Sequence, residues 1–141
     1  MDTKSLAKKW FTEVWNKRKI ETIALMMAPN AVGVTEGGQL KGPEQFRTLV
    51  FEPFVAAFPD VKVKINGIIA DKNEAAIRWT ASATHQGPLM GITPTGRPVK
   101  FSGMTWFKFS RGKIVAGSDS YNLHGLMAYL ANGTQSASVT K

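Results

Sequence analysis

The stretch VKVKINGIIADKNEAAIRWTASATH, Val61 to His85, decides the fold. Val61, Val63, Ile65 and Ile69 fall on one side of an extended chain, and Lys62, Lys64 and Asn66 on the other. Asp71-Lys72-Asn73-Glu74 interrupts this alternation as a turn. After it, Ile77, Trp79, Ala81, Ala83 and His85 alternate with Arg78, Thr80, Ser82 and Thr84. Two such runs around a polar turn predict an antiparallel pair with one buried face.

Downstream, a loop rich in Gly and Pro, Gln86 to Arg97, leads to a long strand from Pro98 to Phe109. Val99, Phe101, Phe107 and Phe109 form its inner face, with Lys100, Ser102 and Lys108 outside. A hairpin turn at Ser110-Arg111-Gly112-Lys113 precedes a last strand, Ile114 to about Tyr121, and Leu123, Leu126, Met127 and Leu130 give a closing helix its apolar stripe. Upstream, the period is helical. Leu6, Trp10 and Val14, widened by Phe11 and Trp15, predict a helix from about Ser5 to Lys17. A short helix from Ile20 to Met27 stops before Pro29, and a short strand from Ala31 to Glu36 ends at Gly37-Gly38. A third helix starts near Pro43, buries Phe46, Leu49, Val50 and Phe54, and is kinked or divided by Pro53.

Helices first, then strands, then a helix predict an α+β fold: a curved antiparallel sheet wrapped around N-terminal helices, enclosing an apolar cavity suited to a small ligand. The expected division is one domain over 1–131 and a small, polar, fraying tail over 132–141. The 141 residues carry no cysteine, which excludes disulfides and thiolate chemistry, and two distant histidines leave little for a metal site. No metal is expected. No apolar run is long enough to span a bilayer, and MDTKSLAKKW lacks the apolar block of a secretory signal, so a cytoplasmic setting without membrane association is the expectation. The net charge of +8 gathers partly in Lys4, Lys8, Lys9, Lys17, Arg18 and Lys19. That run reads as a solvated helix face, since no aromatic–basic motif for stacking bases accompanies it, and nucleic acid is not an expected partner.

VWNKRKIETIALMMAPNAV (14–32) and RWTASATHQGPLMGITPTGRPVKFSGMTWFKFSRGKI (78–114) resemble the SnoaL-like polyketide cyclases, a family with a nuclear-transport-factor-type cone fold. The resemblance runs from about Phe11 to Leu130. It implies an acid–base ring closure without cofactor, in which an Asp shortly before the Gly-Leu of the final helix moves the proton. Aligned on Gly112-Lys113-Ile114 and Gly125-Leu126, Asn122 takes that Asp's place and Ser118 that of a Trp four residues earlier. His85 matches a histidine that the family often shows.

Alternation from Ile114 points Ser118, Ser120 and Asn122 into the cavity and Asp119 away from it, unless a β-bulge inverts the parity. Asn122 is then either the N-cap of the final helix or a ligand hydrogen-bonder, and His85 either an acid–base group or a histidine satisfied by loop carbonyls. The candidate catalytic set is His85, Asn122 and, with a bulge, Asp119. Trp79, Ser118, Ser120, Phe107, Trp10 and Phe46 are the candidate ligand contacts. The expected function is a pocket for a small hydrophobic or polyketide-like molecule with cyclisation or isomerisation by proton transfer. The alternative is a non-catalytic ligand-binding or carrier module in which Asn122 has replaced the family acid. Met104 and Trp106, apolar on the outer strand face, predict a homodimer through that face.

Overall fold

Asp2 caps the first helix, its carboxylate accepting the Ser5 N–H at 2.8 Å. Helix α1 (Thr3–Trp10) continues without a break into a π-helical segment, Phe11–Asn16. Phe11 and Val14 of this segment are buried in the core, and Trp15 packs against Phe46, Phe51 and Phe54. Helix α2 (Ile20–Met26) follows a tight corner at Arg18, which has a φ of 58°. This structure is a computed structural model and describes residues 1–132 and the short strand 138–139.

Strand β1 (Met27–Thr35) turns at Glu36-Gly37 into β2 (Gly38–Lys41). The third predicted helix comes in three joined parts: α3 (Gly42–Phe46), a π-helical Arg47–Phe51, and α4 (Glu52–Ala57) with Pro53 in its first turn. The helix changes winding ahead of the residue that lacks an amide hydrogen, which absorbs the disruption expected at Pro53 without a break. Then come β3 (Lys62–Ala70), β4 (Glu74–Thr84), β5 (Pro98–Ser110), β6 (Lys113–Tyr121) and α5 (Leu123–Asn132). A two-residue β7 (Ser138–Val139) lies parallel to β5 at Lys100 and Phe101. The rest of the predicted tail, 133–137 and 140–141, lies outside the described residues.

The sheet order is β2-β1-β6-β5-β4-β3. Every neighbouring pair along it is antiparallel except β1 with β6. Those two are joined by most of the chain rather than by a hairpin, which leaves a parallel pairing open to them. The helices cover the inner face. Trp10 packs edge-on against Phe46 and Phe107, with ring centroids 5.2 and 5.8 Å apart.

Two irregularities in pairing govern which side chains face inward. In β3 the register shifts between Ile65 and Gly67, so Asn66 is extra. Ile69, grouped by alternation with Val61, Val63 and Ile65, therefore lies outside and is 80% exposed. In β6, Lys108 pairs with Ala116 but Phe109 with Ile114, so Val115 is extra. That bulge inverts the expected parity of the rest of β6. Gly117, Asp119 and Tyr121 turn inward, and Ser118 and Ser120 join Trp106 and Met104, their cross-strand partners, on the outer face.

Candidate functional site

Between the inner face of the sheet and the helices lies a cavity of about 210 Å³. Its walls are Phe11 and Trp15 from the first π segment, Leu49, Val50, Pro53 and Phe54 from the third helix, and Trp79, Ala81 and Phe101 from the sheet. Leu89 and Met90 of the 86–97 loop and Leu123 and Leu126 of α5 complete it, with Thr35, Glu36 and Gly37 of the β1–β2 turn. A smaller chamber of about 40 Å³ shares Phe11, Trp15, Thr35 and Asp119 with the first and is lined by Trp10, Phe46 and Phe107. Asp119 thus stands where the two spaces meet.

The polar centre spans three adjacent strands. Thr105 of β5 is directly opposite Asp119 of β6, and its hydroxyl is 2.5 Å from Asp119 Oδ1. The indole N–H of Trp79, from β4, reaches diagonally to the same hydroxyl at 2.9 Å. Gly103 makes room for that ring, since a Cβ there would stand 2.4 Å from Trp79 Cζ2. Glu36, in the β1–β2 turn, accepts the Tyr121 N–H at 2.9 Å and so fixes the turn against the end of β6.

Burial raises the Asp119 carboxyl to about 6. Repulsion from Glu36 adds to this, and the Thr105 hydrogen bond opposes it. The Tyr121 phenol is pushed up to about 12 by burial and by the same two carboxylates. Its ring packs against Phe101 and Trp79, with centroids 5.3 and 6.2 Å away. No Lys, Arg or His is among the residues lining either chamber, in a chain whose net charge is +8.

The predicted residues divide by position. Trp79 lines the large chamber and Trp10, Phe46 and Phe107 the small one. The Val115 bulge turns the side chains of both Ser118 and Ser120 to the outer face, against the expectation that they line the cavity, although Ser118 adjoins the small chamber beside Asp119. Asn122 is in neither chamber. Its side chain accepts the Gly125 N–H at 2.9 Å and its carbonyl the Leu126 N–H at 3.1 Å, which makes it the N-cap of α5. His85 also lies outside both. It is fully buried beside Phe58, and its Nδ1 accepts the Thr95 N–H at 3.2 Å and lies 3.0 Å from the Thr95 hydroxyl. Burial holds its pKa below the ordinary imidazole range, so the neutral ring is favoured. Sequence reasoning passed over Thr105, Tyr121 and Glu36. Thr105 left a trace, being the polar residue on an inner face otherwise made of Val99, Phe101, Phe107 and Phe109.

Among the described residues no group of three or more His, Asp and Glu side chains is placed to hold a metal ion, and no helix is long and apolar enough to cross a membrane.

The family model of the SnoaL-like polyketide cyclases matches residues 5–130. No curated protein matches the chain by sequence. Among solved structures, AclR of Streptomyces galilaeus, provisionally described as a hydroxylase, is 28% identical with a TM-score of 0.80, over 94% of this chain and 82% of that one. IdmH of Streptomyces antibioticus, provisionally a polyketide cyclase, is 25% identical with a TM-score of 0.79, over 91% and 97%. A SnoaL-like protein from Jannaschia sp. CCS1 shares the fold with a TM-score of 0.84 at 17% identity, over 91% and 90%.

Proposed function

Because the chain belongs to the SnoaL-like polyketide cyclase family, we propose that it moves protons on a small ring-shaped or polyketide-like carbonyl compound, with Asp119 as the general acid–base group. One observation carries this reading: a carboxyl of raised pKa in an aromatic-walled cavity without a basic partner. Ionised above about pH 6, it can take a proton from the carbon beside a carbonyl. The enolate carbon then attacks a second carbonyl of the same molecule, and Asp119 returns its proton to the new alkoxide. Atoms balance and no oxidant is consumed. Tyr121, held protonated by its raised pKa and lining the same cavity, supplies the hydrogen bond to the enolate oxygen in this reading. The non-catalytic alternative assumed that Asn122 had displaced the acid, and a carboxyl inside the cavity favours catalysis instead.

The test uses tetralone, an enolisable bicyclic ketone, and follows exchange of its α-hydrogens in deuterium oxide by NMR. The wild type should accelerate exchange, with a rate that rises through about pH 6. Asp119→Asn should lower it ~100-fold or more, the usual contribution of a general base. An unchanged rate in the variant would sink the assignment.

A further inference from the structure

With Asp119 ionised, the chain Trp79–Thr105–Asp119 runs in one direction. An indole N–H donates and never accepts, so at 2.9 Å the Thr105 oxygen is the acceptor. The single Thr105 proton is then free for Asp119 Oδ1 at 2.5 Å. Oδ1 is thereby committed as an acceptor, while Oδ2 has no hydrogen-bond partner among the described residues. We propose that Trp79 and Thr105 are positioning residues that hold Oδ1 and leave Oδ2 as the oxygen that takes and returns the proton. The inference rests on Asp119 being the base, as argued above.

The relay is built into the sheet rather than borrowed from a loop. Its members sit on β4, β5 and β6, and Thr105 is 4% exposed. Gly103 belongs to the same device. It pairs with Trp79 and with Tyr121, and any larger residue there would meet the indole and also the Ser120 carbonyl oxygen, 2.7 Å from the added carbon. With the ring pressed over Gly103, the N–H can reach two residues along β5. The groups that share the cavity with Asp119 are Glu36 of the β1–β2 turn and the uncharged Phe11 and Trp15 of the first π segment from other elements, and Tyr121 from its own strand. No cation is there to orient the carboxylate, which leaves that task to the Thr105 hydroxyl.

The experiment titrates aspartate carboxyl carbons by ¹³C NMR, with the Asp119 signal identified by its loss in Asp119→Asn. Removing a hydrogen bond to an ionised group in Thr105→Val should raise the Asp119 midpoint by about one pH unit, a tenfold change in its ionisation constant. Thr105→Ser keeps the hydroxyl and should restore the wild-type midpoint. Should Thr105→Val fold poorly because the Trp79 N–H loses its partner, the double variant Trp79→Phe/Thr105→Val removes both groups and should show the same rise. An Asp119 midpoint that stays put in the valine variants overturns the relay. In tetralone exchange, the acid limb of the pH profile should shift with the NMR midpoint. A midpoint that moves while the exchange profile does not would uphold the relay and overturn Asp119 as the base.

Discussion

With its carboxyl raised to about 6, Asp119 binds a proton more tightly in the folded chain than in the unfolded one. The sign follows from linkage. Its contribution favours folding most below the ordinary aspartate range and declines as pH rises through about 6, because ionisation is easier in the unfolded chain. Asp119→Asn should therefore stabilise the protein near neutral pH, on the order of 1–2 kcal/mol, and flatten the decline. Urea unfolding at about pH 4.5 and pH 7 measures both effects, and equal stability of variant and wild type at the higher pH would contradict the assigned environment. The burial of this carboxyl is visible here as a folding cost. Little of this residue's role was legible in the sequence. Asp119 and Asn122 both stood in the polar cluster, and alternation and family alignment both favoured Asn122, because a one-residue bulge leaves no mark in composition.

At the scale of elements, strands and helices were more legible than the direction in which their side chains point. The runs around Val61–His85 and Pro98–Phe109 became β3, β4 and β5 with boundaries moved by a residue or so. The period of 2 that reveals a strand loses track of faces after an extra residue, which is why Ile69 and the end of β6 are reversed. The π segments were equally hidden, since Trp10, Phe11, Val14 and Trp15 fit a wide α-helical stripe as well as they fit a change of winding. Asn122 has a measurable role at this scale. Asn122→Ala should cost about 1 kcal/mol of stability in denaturant unfolding through loss of the α5 cap. Asn122→Asp should keep the cap and leave tetralone exchange unchanged, because the side chain is committed to the Gly125 N–H. A gain in exchange by that variant would show that the side chain reaches the cavity.

On the scale of the whole molecule, the order of elements sufficed to read an α+β fold with a curved sheet, while the parallel β1–β6 contact was beyond any local pattern. The outer sheet face has its own organisation. Cross-strand pairing lines up Val34, Ser118, Trp106, Ala76 and Ile69 in one row, with Met104 and Val32 beside it. Val34 is 46% exposed and Met104 54%. Lys62, Lys64 and Lys100 occupy the other end of the same face. We propose that this row, which includes Trp106 and adjoins Met104, pairs with the same row of a second copy, and a homodimer is the prediction. Trp106→Lys should give a folded monomer in light scattering. Wild-type protein that stays monomeric at high micromolar concentration would refute it.

Ile114 and Asp119 are five residues apart and both face inward, which a straight strand cannot arrange. Val115 is the residue that reconciles them. Deleting it would leave an even spacing with both still inward, so a shorter strand can keep the carboxyl in the cavity. Inserting one residue between Gly117 and Ser118, on a strand without a second bulge, would instead bring Ser118 and Ser120 inside. Chain length at this point, and not residue identity alone, therefore decides which column of an alignment holds the acid.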